Sequence, residues 1–513
     1  MVSTRPARRR TRTRNARTLV TSVVTPGQHG GQYRPLAASD LSRLHNAALT
    51  MLSEIGMANP IPILEQRALE SGCNINEYGR LCFPRSLVED IIASSPKELV
   101  YYGRNPQHDV EYKGTRVHFG ASGEAVRILD HETGKYRPST LKDVYDCGRI
   151  IDKLEHIHDY SRWVVPTDIS DQLEADINTA YASFAATEKS VALSFDSANN
   201  VDPVLIMAQL IAGSEKAFRD RPFCNGGGCC VVSPLTYATE NSEVCIASTR
   251  FGSPVWIVVA PQAGATAPAA LAGALAQAIA EALAGILLIQ LVVPGYPVTL
   301  GSWPFVSDLR TGAFSGGGGE EGLLNAAAAQ IANFYGLPCS VSAGMTDSKI
   351  PDNQAGFEKG INVTLAALAG ANSIGECAGM VASLMGCSFE SLVVDNDMIG
   401  YIQRVLRGIE VTDDTLSLDV IRKVVLSGPG HFLSEKQTLE VMETEYLYPT
   451  IADRSSIEDW EVDGAKDIRT NARDRVADIL SSHYPKYLGE MLDSALRDRF
   501  TIRLDPADMG VGS

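Results

Sequence analysis

From about residue 160 the chain repeats one pattern: a short apolar, β-branched run, a polar or glycine-rich loop, then a segment with apolar residues three and four apart. The short runs fall at 162–166, 191–195, 223–232, 255–260, 297–302, 339–343, 372–376 and 391–395. The intervening segments read as helices. Asp202-Pro203 opens one as N-cap and first-turn proline, with Val204, Met207 and Ile211 on its face. Phe357, Ile361, Leu365 and Leu368 mark the inner face of a second, and Leu324, Ala327, Ala328 and Ile331 that of a third. Strands apolar throughout, alternating with helices, imply a parallel sheet buried on both faces. Eight such units predict an α/β fold of TIM (β/α)8 type, with an open doubly wound sheet as the alternative that periodicity leaves standing.

Outside this repeat the pattern changes. Residues 35–155 read as an N-terminal α/β extension with helices at 40–55 and 140–154. Residues 156–410 hold the barrel, and 411–513 form a helical extension whose clearest runs are 467–480 and 487–499. Residues 267–293 are long and apolar enough to suggest a membrane span. Gln277, Glu281 and Gln290 within them favour a buried helix running into a strand.

Composition adds a location and removes several functions. The chain has 513 residues, 45% hydrophobic and 21% charged, with a net charge of −16. Residues 1–34 hold eight Arg and no acidic residue, so the acidic excess lies wholly in the body. An acidic body argues against a nucleic-acid partner, and the basic head, including Arg8, Arg9, Arg10, Arg12, Arg14 and Arg17, reads as a flexible tail. No apolar segment follows those arginines, and the ten Cys show no paired spacing; both point to a reduced, cytoplasmic protein. No P-loop, no nucleophile elbow and no zinc-type spacing occurs, which removes nucleotide hydrolysis, triad hydrolysis and zinc chemistry from the candidates.

What remains lies after the predicted strands, where a barrel places its chemistry. Tyr296, Trp303, Phe305 and Phe314 surround the fifth strand, and aromatic faces bind quaternary ammonium groups, which have no N–H to donate. Asp308, Arg310, Asp347, Lys349 and Glu376 add charges, of which Arg310 or Lys349 would hold a substrate carboxylate. Gly226, Gly227, Gly228, Gly316 and Gly317 would let a large flat group approach the backbone. The structural alternatives are tight turns for the glycines, lid packing for the aromatics and an internal ion pair for Asp308 and Arg310. Cys229, Cys230, Cys339 and Cys377 stand near strand ends and read as core thiols.

Several longer segments resemble the trimethylamine methyltransferase-like superfamily. They are Asp308-Leu-Arg-Thr-Gly-Ala-Phe314, Leu323-Leu-Asn-Ala-Ala-Ala-Ala-Gln330, Asp347-Ser-Lys-Ile-Pro-Asp-Asn-Gln-Ala-Gly356, Phe119-Gly-Ala-Ser-Gly123 and Gly428-Pro-Gly-His-Phe-Leu433. The resemblance implies a TIM barrel that moves a methyl group from an amine to Co(I) of a corrinoid, carried by a separate small corrinoid-binding protein and not bound covalently here. Founding members carry pyrrolysine; this chain, in twenty standard residues, resembles the branch without it, which is similar to glycine betaine corrinoid methyltransferases. Trp303 and Phe305 would then cage the ammonium, with Tyr296 in reserve. Other expectations are a small-molecule quaternary amine as substrate, self-association into a homo-oligomer, and no membrane partner. Two further readings stand beside this one: a barrel lyase or aldolase using Lys349 as a Schiff base, and a non-catalytic betaine- or corrinoid-binding protein.

Overall fold

A computed structural model describes residues 22–510, so the arginines from Arg8 to Arg17 lie outside the described residues. The described residues divide into two compact units, residues 26–407 with 449–510, and residues 408–448 with 22–25. Within the smaller unit, a Lys423–Glu435 ion pair of 2.7 Å joins helix Leu418–Ser427 to the start of helix Lys436–Val441, and Gln437 donates to Asp414 O of helix Asp413–Leu416 at 3.0 Å.

The larger unit is a closed barrel of eight parallel strands. We number them β1 Arg116–Ala121, β2 Asp159–Ser161, β3 Ser190–Ser194, β4 Cys224–Gly228, β5 Val255–Val259, β6 Val298–Ser302, β7 Cys339–Ser342 and β8 Ser373–Gly375. Each is followed by a helix: α1 Leu141–Lys153, α2 Gln172–Ala186, α3 Val201–Ile211, α4 Thr239–Ser248, α5 Leu271–Val292, α6 Gly319–Tyr335, α7 Asn353–Ala369 and α8 Phe389–Arg407. β1 closes the ring, pairing with β8 through Ile374↔Phe119 and with β2 through Gly120↔Asp159.

The barrel therefore has the expected number of strands but a different membership. The run 391–395 lies inside α8, because Phe389, Leu392, Val393, Ile399, Ile402 and Leu406 form a buried stripe at helical spacing that outweighs the β-branched pair. The missing strand is β1, which the pattern placed in the N-terminal extension; its glycine and histidine hid an otherwise buried run. β2 ends at Ser161, so Arg162 belongs to the mouth loop and not to a strand.

Two helices correct the periodicity argument further. In α7 the apolar pair Phe357 and Ile361 faces outward, 59% and 54% exposed, while Lys359 and Asn362 are buried. Lys359 is buried because its ammonium bonds Asp395 of α8 at 2.6 Å. α3 begins at Val201 with Asn200 as its cap, two residues ahead of the predicted start. In α5, whose most apolar stretch is 89% buried, the polar residues act inside the fold. Glu281 accepts from Ser233, the Leu235 amide and Gln277 at 2.6, 2.9 and 2.9 Å, and Gln290 braces the turn at Gly295 and Tyr296.

In most strands the outward residues are branched or aromatic and pack on the helices, as with Val191 and Leu193 in β3 or Val255, Ile257 and Val259 in β5. The inward residues are mostly small. Ser161, Ser190, Ala192, Ser194, Ser340, Ser373 and Gly375 all face the axis, where many barrels place bulky side chains.

Candidate active site

Small inward residues leave an axial cavity of about 510 Å3, the size class of small-molecule sites. Its base is closed by a hairpin of strands Glu98–Tyr101 and Val110–Lys113, which precedes β1. Tyr101 and Tyr112 stand on that hairpin and line the cavity; their rings meet edge to face at 5.0 Å, and the Tyr101 hydroxyl bonds that of Thr299 in β6.

At the mouth the loops after the strands converge. Beyond β5 and β6 the chain keeps parallel pairing, with Trp303 N donating to Val259 O at 2.9 Å and Phe305 N to Pro261 O at 3.0 Å. This holds Trp303 and Phe305 over the cavity. The Trp303 indole donates to Ser340 Oγ at 3.0 Å, and its ring edge lies so close to Gly375 that a Cβ there would fall 2.9 Å from it. Phe195 and Trp256 complete the aromatic wall.

Two carboxylates face this wall from adjacent strand ends, Glu124 after β1 and Glu376 after β8. Both have left-handed backbone, φ +51° and +57°, which costs a non-glycine residue roughly 1–2 kcal/mol and is tolerated where a side chain must be aimed. Glu124 accepts from Arg162 Nη2 at 2.8 Å and from Ser194 Oγ. Glu376 accepts from Ser342 Oγ at Oε2, and its amide donates to Ser122 Oγ at 2.9 Å. Burial pushes the Glu376 carboxyl up to about 7, against the Ser342 bond and with the help of Glu124. Burial likewise raises Asp159, in the cavity wall, to about 6.

Of the residues singled out from the sequence, Trp303, Phe305, Glu376 and Gly228 line the cavity. The rest have other places. Phe314 stands behind Phe305, ring centroids 4.9 Å apart, on the antiparallel strand that pairs with Phe305–Ser307. Tyr296 lies before β6, at the opposite end of the barrel from the mouth, and donates to Thr249 O and Ser253 O at 2.8 Å each. Arg310 is 88% exposed and pairs with Asp308 at 2.7 Å, holding that carboxyl down at about 2. Asp347 ties two loops together: although burial opposes its ionisation, bonds from Ser315, Ser383 and the Gly316 amide hold its carboxyl below the usual range. Lys349 is exposed and turns its ammonium onto Asp347 O, outside the cavity, so the Schiff-base reading finds no support in its placement.

The other glycines are packed against their own chain. A Cβ at Gly226 would meet Ser248 Oγ at 2.5 Å, at Gly227 the Trp256 carbonyl at 1.9 Å, at Gly316 Met345 at 2.9 Å and at Gly317 Glu358 at 2.2 Å. Cys229 opens onto the cavity, yet the enclosing wall pushes its thiol up to about 12, far from the thiolate a nucleophile needs.

Pattern reading passed over Glu124, Arg162 and Asp159. The first follows the run 119–123, which local pattern places in the N-terminal extension; Asp159 opens, and Arg162 follows, a three-residue strand too short for periodicity to frame. Chemically, the assembled mouth offers aromatic faces and the carboxyl groups of Glu124 and Glu376 to a cation, while the only arginine among the described lining residues is already paired with Glu124 and lies 3.8 Å from Asp176.

Comparison with known proteins adds the family context. The profile of the family described as Trimethylamine methyltransferase (MTTB) matches residues 3–506. The chain is similar to Trimethylamine methyltransferase MttB of Desulfitobacterium hafniense, 36% identical over 465 residues that cover 89% of this chain and 91% of that one. It is also similar to Glycine betaine methyltransferase of Desulfitobacterium hafniense strain Y51, 30% identical with 92% and 97% covered. Among solved structures, Methanosarcina barkeri monomethylamine methyltransferase (MtmB) aligns with a TM-score of 0.46 at 14% identity, covering 88% of this chain and 89% of that one.

Proposed function

The chain belongs to the trimethylamine methyltransferase (MTTB) family, and from that membership we propose that it takes a methyl group from a quaternary ammonium compound and delivers it to a corrinoid carried by a separate small protein. The observation that carries this reading is the convergence of Trp303, Phe305, Phe195 and Trp256 on one cavity with Glu124 and Glu376. The substrates named for the two relatives, trimethylamine and glycine betaine, share a trimethylated nitrogen. Such a head, when quaternary, can be held only by aromatic faces and by charge.

The cavity, about 510 Å3, suits an amine of this size and is too small to enclose a corrin ring. On the rim no side chain larger than serine stands at Ser122 or Ala260, and these are residues that would meet the face of a ring brought from outside. When bound, a reduced corrinoid supplies the nucleophile that accepts the methyl group. The protein's part is orientation and exclusion of water, for which Trp303 and Phe305, pinned by backbone bonds to Val259 and Pro261, are suited.

Glu376 has the subtler role. Its carboxyl, raised to about 7, is still partly protonated near neutrality, so the ammonium is not held by two full carboxylates. That matters because positive charge leaves nitrogen as the C–N bond breaks, and binding the cation equally in ground and transition states would not speed the step. Glu376 Oε2 accepts from Ser342, leaving Oε1 to hold a proton that can pass to the amine's freed electron pair.

The test is an absorbance assay with the purified protein and reduced cobalamin, supplied with glycine betaine, proline betaine, carnitine, choline or trimethylamine. Conversion to the methylated corrinoid spectrum with a quaternary compound is the expected result. No conversion with any of them, with a cognate corrinoid protein present, contradicts the reading.

A further inference from the structure

The cavity offers more than a cage for a methylated nitrogen. Trp303 touches Gly375; one residue along from the Ile374↔Phe119 pair, Gly375 neighbours Gly120, which is in register with Asp159. Two strand spacings, roughly 10 Å between backbones, thus separate the strand under the indole from the one bearing Asp159. The Asp159 carboxylate leans on Gly120, where an added Cβ would fall 2.3 Å from Oδ1.

Beside it stand two polar groups without protein partners. Ser190 and Asn225 line the cavity and are 2% and 3% exposed, and neither Ser190 Oγ nor Asn225 Oδ1 has a hydrogen-bond partner. A buried polar atom left unpaired is costly, so a ligand group that completes it gains what the empty wall lacks. Around Asp159 the set has a direction: Asp159 and Asn225 Oδ1 accept and the Ser190 hydroxyl can do either, while the unpartnered indole N–H of Trp256 stands on β5, three strands from Asp159. Nor is a cation at hand to reverse it. Lys189 donates its ammonium to the carbonyls of Ile151 and Leu154, each at 2.7 Å, and of Ile157, while Arg162 is engaged at the mouth.

We propose that this wall holds the far end of the ammonium substrate, and that Asp159, Ser190 and Asn225 select an end that donates a hydrogen bond, such as a hydroxyl, over one that bears a carboxylate. The inference rests on the amine reading above and narrows its substrate class. A carboxylate end would meet Asp159 as a like charge in a low-dielectric setting; a hydroxyl end would complete the wall.

Three ligands with the same trimethylammonium head separate the possibilities: choline with a hydroxyl end, glycine betaine with a carboxylate end, and propyltrimethylammonium with an apolar end. Calorimetric titration of the protein without corrinoid should find choline bound about tenfold more tightly than either of the others. In Asp159→Asn the advantage of choline over glycine betaine should collapse. Glycine betaine binding as tightly as choline to the native protein overturns the inference, and that comparison needs no variant. An equal loss for all three ligands in Asp159→Asn also overturns it, since Asp159 would then serve the head. If none of the three binds, the amine reading falls and this inference with it.

Discussion

The two ends of the axial cavity are built on opposite principles. At the base, the hairpin tyrosines are satisfied and rigid: Tyr101 bonds Thr299, and Tyr112 stacks on His118 at 5.9 Å. At the mouth, Glu124 and Glu376 sit on left-handed backbone, Glu376 is desolvated, and Trp256, Trp303 and Phe305 are only half-buried. The base closes the fold with its paired hairpin tyrosines and leaves its unpaired polar groups, Ser190 Oγ and Asn225 Oδ1, beside the buried Asp159 on β2, β3 and β4. The mouth stores strain and unsettled charge on loops that the strands position, which is the arrangement expected where a barrel binds and reacts.

Substitutions can sharpen or break that contrast. The largest effect is expected for Trp303→Ala, which removes an aromatic face worth about 2 kcal/mol or more to a desolvated cation. The value of kcat/KM should fall by roughly thirty- to hundredfold, measured by steady-state methyl transfer. An unchanged KM would remove Trp303 from the cage.

Glu376→Gln comes next, read through stability against pH. The folded state raises this carboxyl from its ordinary 4.5 to about 7, so it binds the proton more tightly than the unfolded chain. Stability from this group is therefore full below about pH 4.5 and is lost as pH rises through 7. Glutamine resembles the protonated form and escapes that loss. The variant should gain about 3 kcal/mol of stability over the native protein between pH 4.5 and pH 8, in denaturant titrations. A gain that is the same at both pH values would mean that Glu376 is not the titrating group.

At the base, Tyr101→Phe should cost about 1 kcal/mol, because Thr299 loses its partner, and should leave kcat almost unchanged. A tenfold fall in kcat would show that the base takes part in the chemistry. The smallest effects belong to Arg310→Ala and Lys349→Ala. Both side chains are exposed and face away from the cavity, so stability should shift by less than about 0.5 kcal/mol and KM should hold. A tenfold rise in KM in either variant would bring that residue back to the substrate.

How much of this was legible in the sequence differs by element. The β/α alternation carried the barrel, and the aromatic run after the sixth strand carried Trp303 and Phe305. The run 391–395 misled because its branched residues also fall on a helical stripe, and β1 escaped because Gly120 and His118 interrupt its apolar character while its partners lie about 40 and 250 residues away. The charged residues were harder. Asp308, Arg310, Asp347 and Lys349 carry the same chemistry on paper as Glu124 and Arg162. Only the closure of β1 against β2 and β8 decides which set faces the axis, and local spacing holds no record of that closure. The stripe of Phe357 and Ile361 failed for a related reason: a buried Lys359–Asp395 pair turned the polar face of α7 inward.

The most direct test of the account is transfer of a labelled methyl group from a trimethylammonium substrate by the native protein, Trp303→Ala and Arg310→Ala side by side. The account predicts labelled methyl on the corrinoid and an equal amount of demethylated amine with the native protein and Arg310→Ala, and at least a thirtyfold slower reaction with Trp303→Ala. Equal rates in Trp303→Ala and the native protein, or a reaction lost in Arg310→Ala alone, would contradict it.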